Sequence, residues 1–187
     1  MSTVGTDGAL SFSFESRPED FYNAACAVDH KNRTDLRRNL QSAALVLVFF
    51  MFIPPENFLH WGMLALCVAV ALMLWKYPEY VNRKFAKKKA AASPKCQVTV
   101  TEQDITLEDA GGRETIPFNE GCAVYQFRGV LAVSWGSNRL TAIPLARLDG
   151  ETKEKLTGLL KECLKDRYET LSEKKSAGGL FSRRTDR

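Results

Sequence analysis

The sequence predicts an α+β membrane protein: a two-helix transmembrane hairpin followed by a small antiparallel β-barrel or sandwich capped by a C-terminal helix. Three observations carry this. Residues 40–75 hold two apolar runs, LQSAALVLVFFMFI and FLHWGMLALCVAVALMLW, separated by PPEN, and Glu56 in the break is their only charge. From Cys96 onward apolar residues recur with period 2 between turn residues. Near the end, Leu156, Leu159, Leu160, Cys163 and Leu164 form one apolar stripe at helical spacing.

Residues 1–39 read as a strand and a helix. The first nine are small and polar, and are expected to be disordered. In residues 10–14, Leu10, Phe12 and Phe14 alternate with serines, the mark of a half-buried strand. Ser16-Arg17-Pro18-Glu19 opens a helix, with Ser16 as cap, Pro18 at an early position and Glu19 completing a capping box. Phe21, Ala25 and Val28 share one side of it. No Gly or Pro interrupts residues 19–53, so this helix is expected to run through Asp35 and Leu36 into the first apolar run. The strand has no partner in its own half of the chain, and an isolated strand is unstable in water. Pairing with the C-terminal sheet is therefore expected.

A helix rises about 1.5 Å per residue and a bilayer core is about 30 Å thick, so about 20 apolar residues cross it. Residues 58–75 approach that length. Trp61 and Trp75-Lys76-Tyr77 sit at its ends, where aromatic rings suit the headgroup level and Lys76 reaches water. Residues 40–53 are short for a crossing unless Asn39, Gln41 and Ser42 lie in the interface, and Pro54 ends that helix. Lys31, Arg33, Arg37 and Arg38 precede the hairpin, seven basic residues follow it within 76–96, and the PPEN turn has none. The positive-inside rule puts both termini in the cytoplasm and the turn outside.

Net charge is +4, but its distribution says more. Residues 76–96 carry 7 basic groups and 1 acidic, whereas residues 97–187 carry 14 of each. This basic segment is read as a juxtamembrane linker: Pro78 marks a break, residues 79–92 form a helix, and Ser93-Pro94 ends it. Arg37, Arg38, Lys76, Arg83, Lys84, Lys87, Lys88 and Lys89 are the candidate contacts with anionic headgroups, each worth about 1 kcal/mol near the surface. The plainer alternative for the same residues is a topology signal. The charge-balanced C-terminal part offers no basic face for nucleic acid.

Five widely spaced cysteines without a CxxC pair argue against a disulfide framework or a zinc site, and suit reducing cytoplasm. His30 and His60 flank the first apolar run and are too far apart in the chain layout to share a metal. No GxSxG, HExxH, P-loop or GxGxxG is present, so no catalytic group or cofactor is expected.

In residues 97–171 short strands follow at regular spacing: Val98 and Val100, Ile105 and Leu107, Ile116 and Phe118, then residues 122–127, 130–135 and 140–145. Gly111-Gly112, Arg128-Gly129 and 136–138 are the turns. Trp135 and Arg139 could form an exposed contact, although Leu131, Val133 and Trp135 share a face that suits the core. Asp149 caps the final helix, whose stripe continues to Tyr168 and Leu171. Residues 172–187 read as a loose tail.

This layout resembles the YcxB-like family of bacterial membrane proteins, through VTVTEQDITLEDAGGRETIPFNEGCAVYQFRGVLAVSW and AIPLARLDGETKEKLTGLLKECL. The resemblance implies a PH-like C-terminal domain, with Ile143-Pro144 just before the last helix, on a multi-pass protein of the bacterial inner membrane. It implies no activity. The expected function is a non-enzymatic, membrane-anchored binding or scaffold protein, its partners anionic lipid, another protein or a second copy. An immunity or regulatory protein acting on a membrane toxin or transporter is the alternative.

Overall fold

Side chains alternate between the two faces of a strand, so Leu10, Phe12 and Phe14 point one way from β2 (Leu10–Glu15). This strand pairs antiparallel with β3 (Lys95–Val100), setting Leu10 opposite Val100 and Glu15 opposite Lys95. The N-terminal strand thus joins the C-terminal sheet, as its lack of a local partner requires. The computed structural model describes residues 3–4, 9–32, 34–51, 53, 57–119, 121–136 and 139–172. Thr3–Val4 adds a two-residue strand, β1, against Ser11 and Leu10, in a stretch expected to be disordered. Polar composition hid it, because a pairing this short has no periodicity to detect.

The first sheet has the order β1-β2-β3-β4-β5, with β4 at Asp104–Asp109 and β5 at Gly112–Pro117. The second contains β6 (Cys122–Phe127), β7 (Val130–Trp135) and β8 (Arg139–Pro144), with β9 (Tyr168–Thr170) on its other edge, in the order β8-β7-β6-β9. All neighbours are antiparallel except β6 and β9. The β6–β7 turn places Arg128 and Gly129 at positive φ, 47° and 75°, as a two-residue hairpin demands. Between the sheets lie Phe12, Val98, Ile105, Ile116, Val124, Leu131, Val133 and Ile143. Helix α4 (Gly150–Leu164), capped by the Asp149 carboxylate on the Thr152 amide at 2.9 Å, adds Leu156, Leu160 and Leu164 to this core.

The apolar stripe does not continue as helix beyond Leu164. Lys165 takes φ 47°, a short 3-10 turn follows, and Tyr168 enters the core from strand β9. Two bonds fix that strand: Tyr168 Oη with Gln126 Oε1 at 2.6 Å, and the Leu171 amide to the Gln126 carbonyl at 2.9 Å. Residues 173–187, read from sequence as a tail, lie outside the described residues.

Helix α1 (Pro18–Lys31) covers the outer face of the second sheet. Its Phe21, Ala24 and Ala27 pack with Phe127, Val130, Ala132 and Ala142, and with Ala86 and Ala90 of α3. Its start is one residue later than expected. Ser16 uses its amide on the Pro94 carbonyl at 3.0 Å, extending the β2–β3 ladder. Arg17 takes the cap position, and Asp20, not Glu19, accepts the Arg17 amide at 3.0 Å. The helix also stops at Asn32, and α2 (Thr34–Phe50) begins afresh. The break comes although composition from 19 to 53 is uninterrupted, and α1 and α2 each lie along α3.

Pro78 causes no break. Helix α3 runs unbroken from Phe58 to Ala92, 35 residues or about 52 Å, with Pro78 inside it. The missing proline amide removes one backbone bond. Packing of Ala86 and Ala90 under α1, and Asn82 Nδ2 donating to Asp29 Oδ2 at 2.7 Å, hold the helix on course beyond it. Among the described residues α3 is the one helix long and apolar enough to cross a membrane; the apolar part of α2, Asn39–Phe50, is shorter. Leu45, Val46 and Phe49 of α2 lie along Cys67, Val68 and Ala71 of α3. Residues 54–56, the expected turn, lie outside the described residues. Among the described residues, every large exposed hydrophobic falls between Leu40 and Val81, up to Phe58 at 92% exposure.

Candidate functional site

The basic residues singled out from sequence are distributed along α3 and do not gather at one point. Lys76 follows Trp75 directly. At 1.5 Å per residue Lys84 stands about 13 Å further along the axis than Trp75, and Lys89 about 21 Å further. Lys84, Lys87, Lys88 and Lys89 are exposed. Arg83 is tied to its own helix, donating from Nη2 to Glu79 Oε1 at 2.8 Å and from Nε to the same oxygen at 3.1 Å. Its guanidinium also lies 5.6 Å from the Tyr22 ring centre. Arg37 and Arg38 fall on α2, and their side chains lie outside the described residues.

Sequence reasoning missed a cleft at the far end of α3. There the open edges of the two sheets, β5 and β8, come together beside the last helical turn. The cleft has a volume of about 220 Å³. Its apolar lining includes Phe14, Cys96, Leu107, Trp135 and Leu140, and its polar rim includes Lys89, Ser93, Asp109, Arg113, Glu114 and Thr141. No local motif marks it, because eight elements from both ends of the chain contribute. The nearest sequence signal was Trp135 with Arg139. Trp135 is half-buried against the inter-sheet core while lining the cleft, and Arg139 pairs across to Glu114.

The acids of the rim are occupied. Asp109 accepts the Ser93 hydroxyl and the Gly111 amide, the latter at 2.7 Å, and Glu114 holds Arg139. Lys89 and Arg113 have no ion-pair partner among the described residues. Burial, and secondarily the Asp109 carboxylate, push the Cys96 thiol up to about 11, which keeps it neutral and unreactive at pH 7. Cys122 is likewise raised by burial. Among the described residues no three His, Cys, Asp or Glu gather into a group that could hold a metal ion.

No family model, no curated protein and no solved structure matches this chain.

Proposed function

We propose that this chain is a non-enzymatic, membrane-anchored binding or scaffold protein of the bacterial cytoplasmic membrane, with a PH-like body on the cytoplasmic side. The observation that carries the reading is the continuity of α3. Its first half is apolar and exposed, while its second half packs beneath α1 and feeds directly into β3. Water would strongly disfavour so much contiguous apolar surface, whereas a bilayer accepts it. The body is then held at the membrane by a packed helix and not by a loose linker.

The two-sheet body closed by one helix supports the PH-like and YcxB-like reading. The hairpin reading, with both α2 and α3 crossing, rests on the basic residues at both ends and their absence from 54–57. The headgroup contacts divide by height. In this reading Lys76, with Arg37 and Arg38 before the first apolar run, meets anionic lipid. Lys84, Lys87, Lys88 and Lys89 lie beyond a Debye length of about 8 Å from Trp75 when α3 runs along the membrane normal.

Labelling with a membrane-impermeant maleimide tests this reading, measured above the wild-type background. E56C is expected to label in intact cells, and E154C only after the membrane is opened. Labelling of E154C in intact cells, or recovery of the protein in the soluble fraction, would refute it.

A further inference from the structure

The cleft between β5 and β8 combines three properties that select one kind of ligand. The first is backbone. β5 pairs with β4 alone, and the two-residue connection sets Asp109 opposite Gly112 as a bonded pair. Bonded positions then alternate, so the amides and carbonyls of Arg113 and Thr115 point out along the open edge. Pro117 offers no amide and limits an added strand to the first part of β5. The second is charge: Asp109 and Glu114 are already engaged and Lys89 is not, while Arg113 stands opposite Glu108 on the other face of β5 from Glu114. The third is the floor, where Trp135 and Leu140 remain only half-buried beside Leu107 and Phe14.

From these we infer that the cleft binds a short extended peptide segment of a partner protein, added as a strand along β5, with a carboxylate facing Lys89 and a bulky apolar side chain on the Trp135–Leu140 floor. Strand addition uses the backbone for affinity and alternate side chains for selection. The axial distance of Lys89 from Trp75, about 21 Å, is twice or more the screening length at physiological salt, so a headgroup is the weaker candidate. The inference rests on the membrane-anchored reading for its orientation and supplies the partner class which that reading leaves open.

The test uses the full-length protein in nanodiscs and a random nonapeptide library displayed on phage. The selected peptides are resynthesised and their affinity measured by titration. Enrichment of acidic residues next to aromatic or branched apolar ones is expected. Binding should fall roughly tenfold or more with K89E, as expected for loss of a charge-assisted contact. K84E makes the same charge change outside the cleft and should alter binding little. T115P should abolish binding by removing an edge amide. Thermal unfolding of each variant shows that the fold is retained, and for any variant that unfolds, chemical-shift mapping of the wild-type protein with the peptide replaces it, with shifts expected in β5 and around Trp135. Failure to enrich any peptide, or binding indifferent to K89E, would overturn the inference. The labelling result in intact cells is read independently, so the two failures are distinguishable.

Discussion

Asp20 is 7% exposed and links three segments of the body. It accepts the Arg17 amide and holds the Arg147 guanidinium at 2.7 and 3.0 Å, while Arg147 also donates to the Glu15 carbonyl. One pair thereby joins the end of β2, the start of α1 and the turn after β8. Removing one member leaves the other charge poorly solvated, so Asp20→Ala is expected to cost about 3 kcal/mol, read by denaturant unfolding in detergent. Replacing both Asp20 and Arg147 with alanine should cost less than the sum of the two single changes. Cys96 supplies a second prediction. With its thiol pushed up to about 11 from an ordinary value of 9, folding favours the neutral form. Stability should therefore be level below pH 9 and fall as pH rises from 9 toward 11. Iodoacetamide at pH 7.5 should modify Cys96 on the order of a hundredfold more slowly than in the unfolded chain, by peptide mass mapping. At this scale sequence gave the residue types but not their partners: Arg147 lies 127 positions from Asp20, and no pattern in a single chain pairs them.

Among the elements, those with strong periodicity were legible. β2 shows it most clearly. Its alternation placed Leu10, Phe12 and Phe14 in a core, and the missing local partner pointed to the distant sheet. Phe12→Ala should therefore destabilise the whole two-sheet body by about 4 kcal/mol, despite lying more than eighty residues before β3. Backbone amides of Phe12 and Phe14, which the register bonds to β3, should exchange as slowly as those of β3, and free exchange there would contradict the pairing. The elements that escaped sequence reasoning share one cause. β9 has three residues, β1 has two, and the Asn32 break and the unbroken course past Pro78 are decided by neighbours. Pro78→Ala restores one helical bond and should raise stability without moving the body, because α1 already holds α3 in line on the far side of the proline.

For the whole molecule, the chain order hides a simple construction. Helices α1, α2 and α3 are inserted between two strands, β2 and β3, that lie side by side in one sheet. The chain leaves the body after β2 and returns to it at β3, so the body is joined to the apolar helices through α1 and α3 together. The cleft then opens at the end of α3 remote from the apolar half, where a soluble partner would find it. Composition and periodicity disclosed the long apolar helix and the two-sheet body. The cleft was not legible, because it exists only where β5, β8 and the last turn of α3 meet.

The most direct test is a nitroxide scan of α3 at single positions from 70 to 90, in nanodiscs, reading collision with oxygen and with a water-soluble nickel complex. The account predicts one 3.6-residue period running without interruption through Pro78, with oxygen dominating up to Trp75 and nickel dominating beyond Lys76. Loss of the period at 76–79 would mean a hinge between anchor and body, and nickel dominance throughout would mean that the helix does not enter a bilayer.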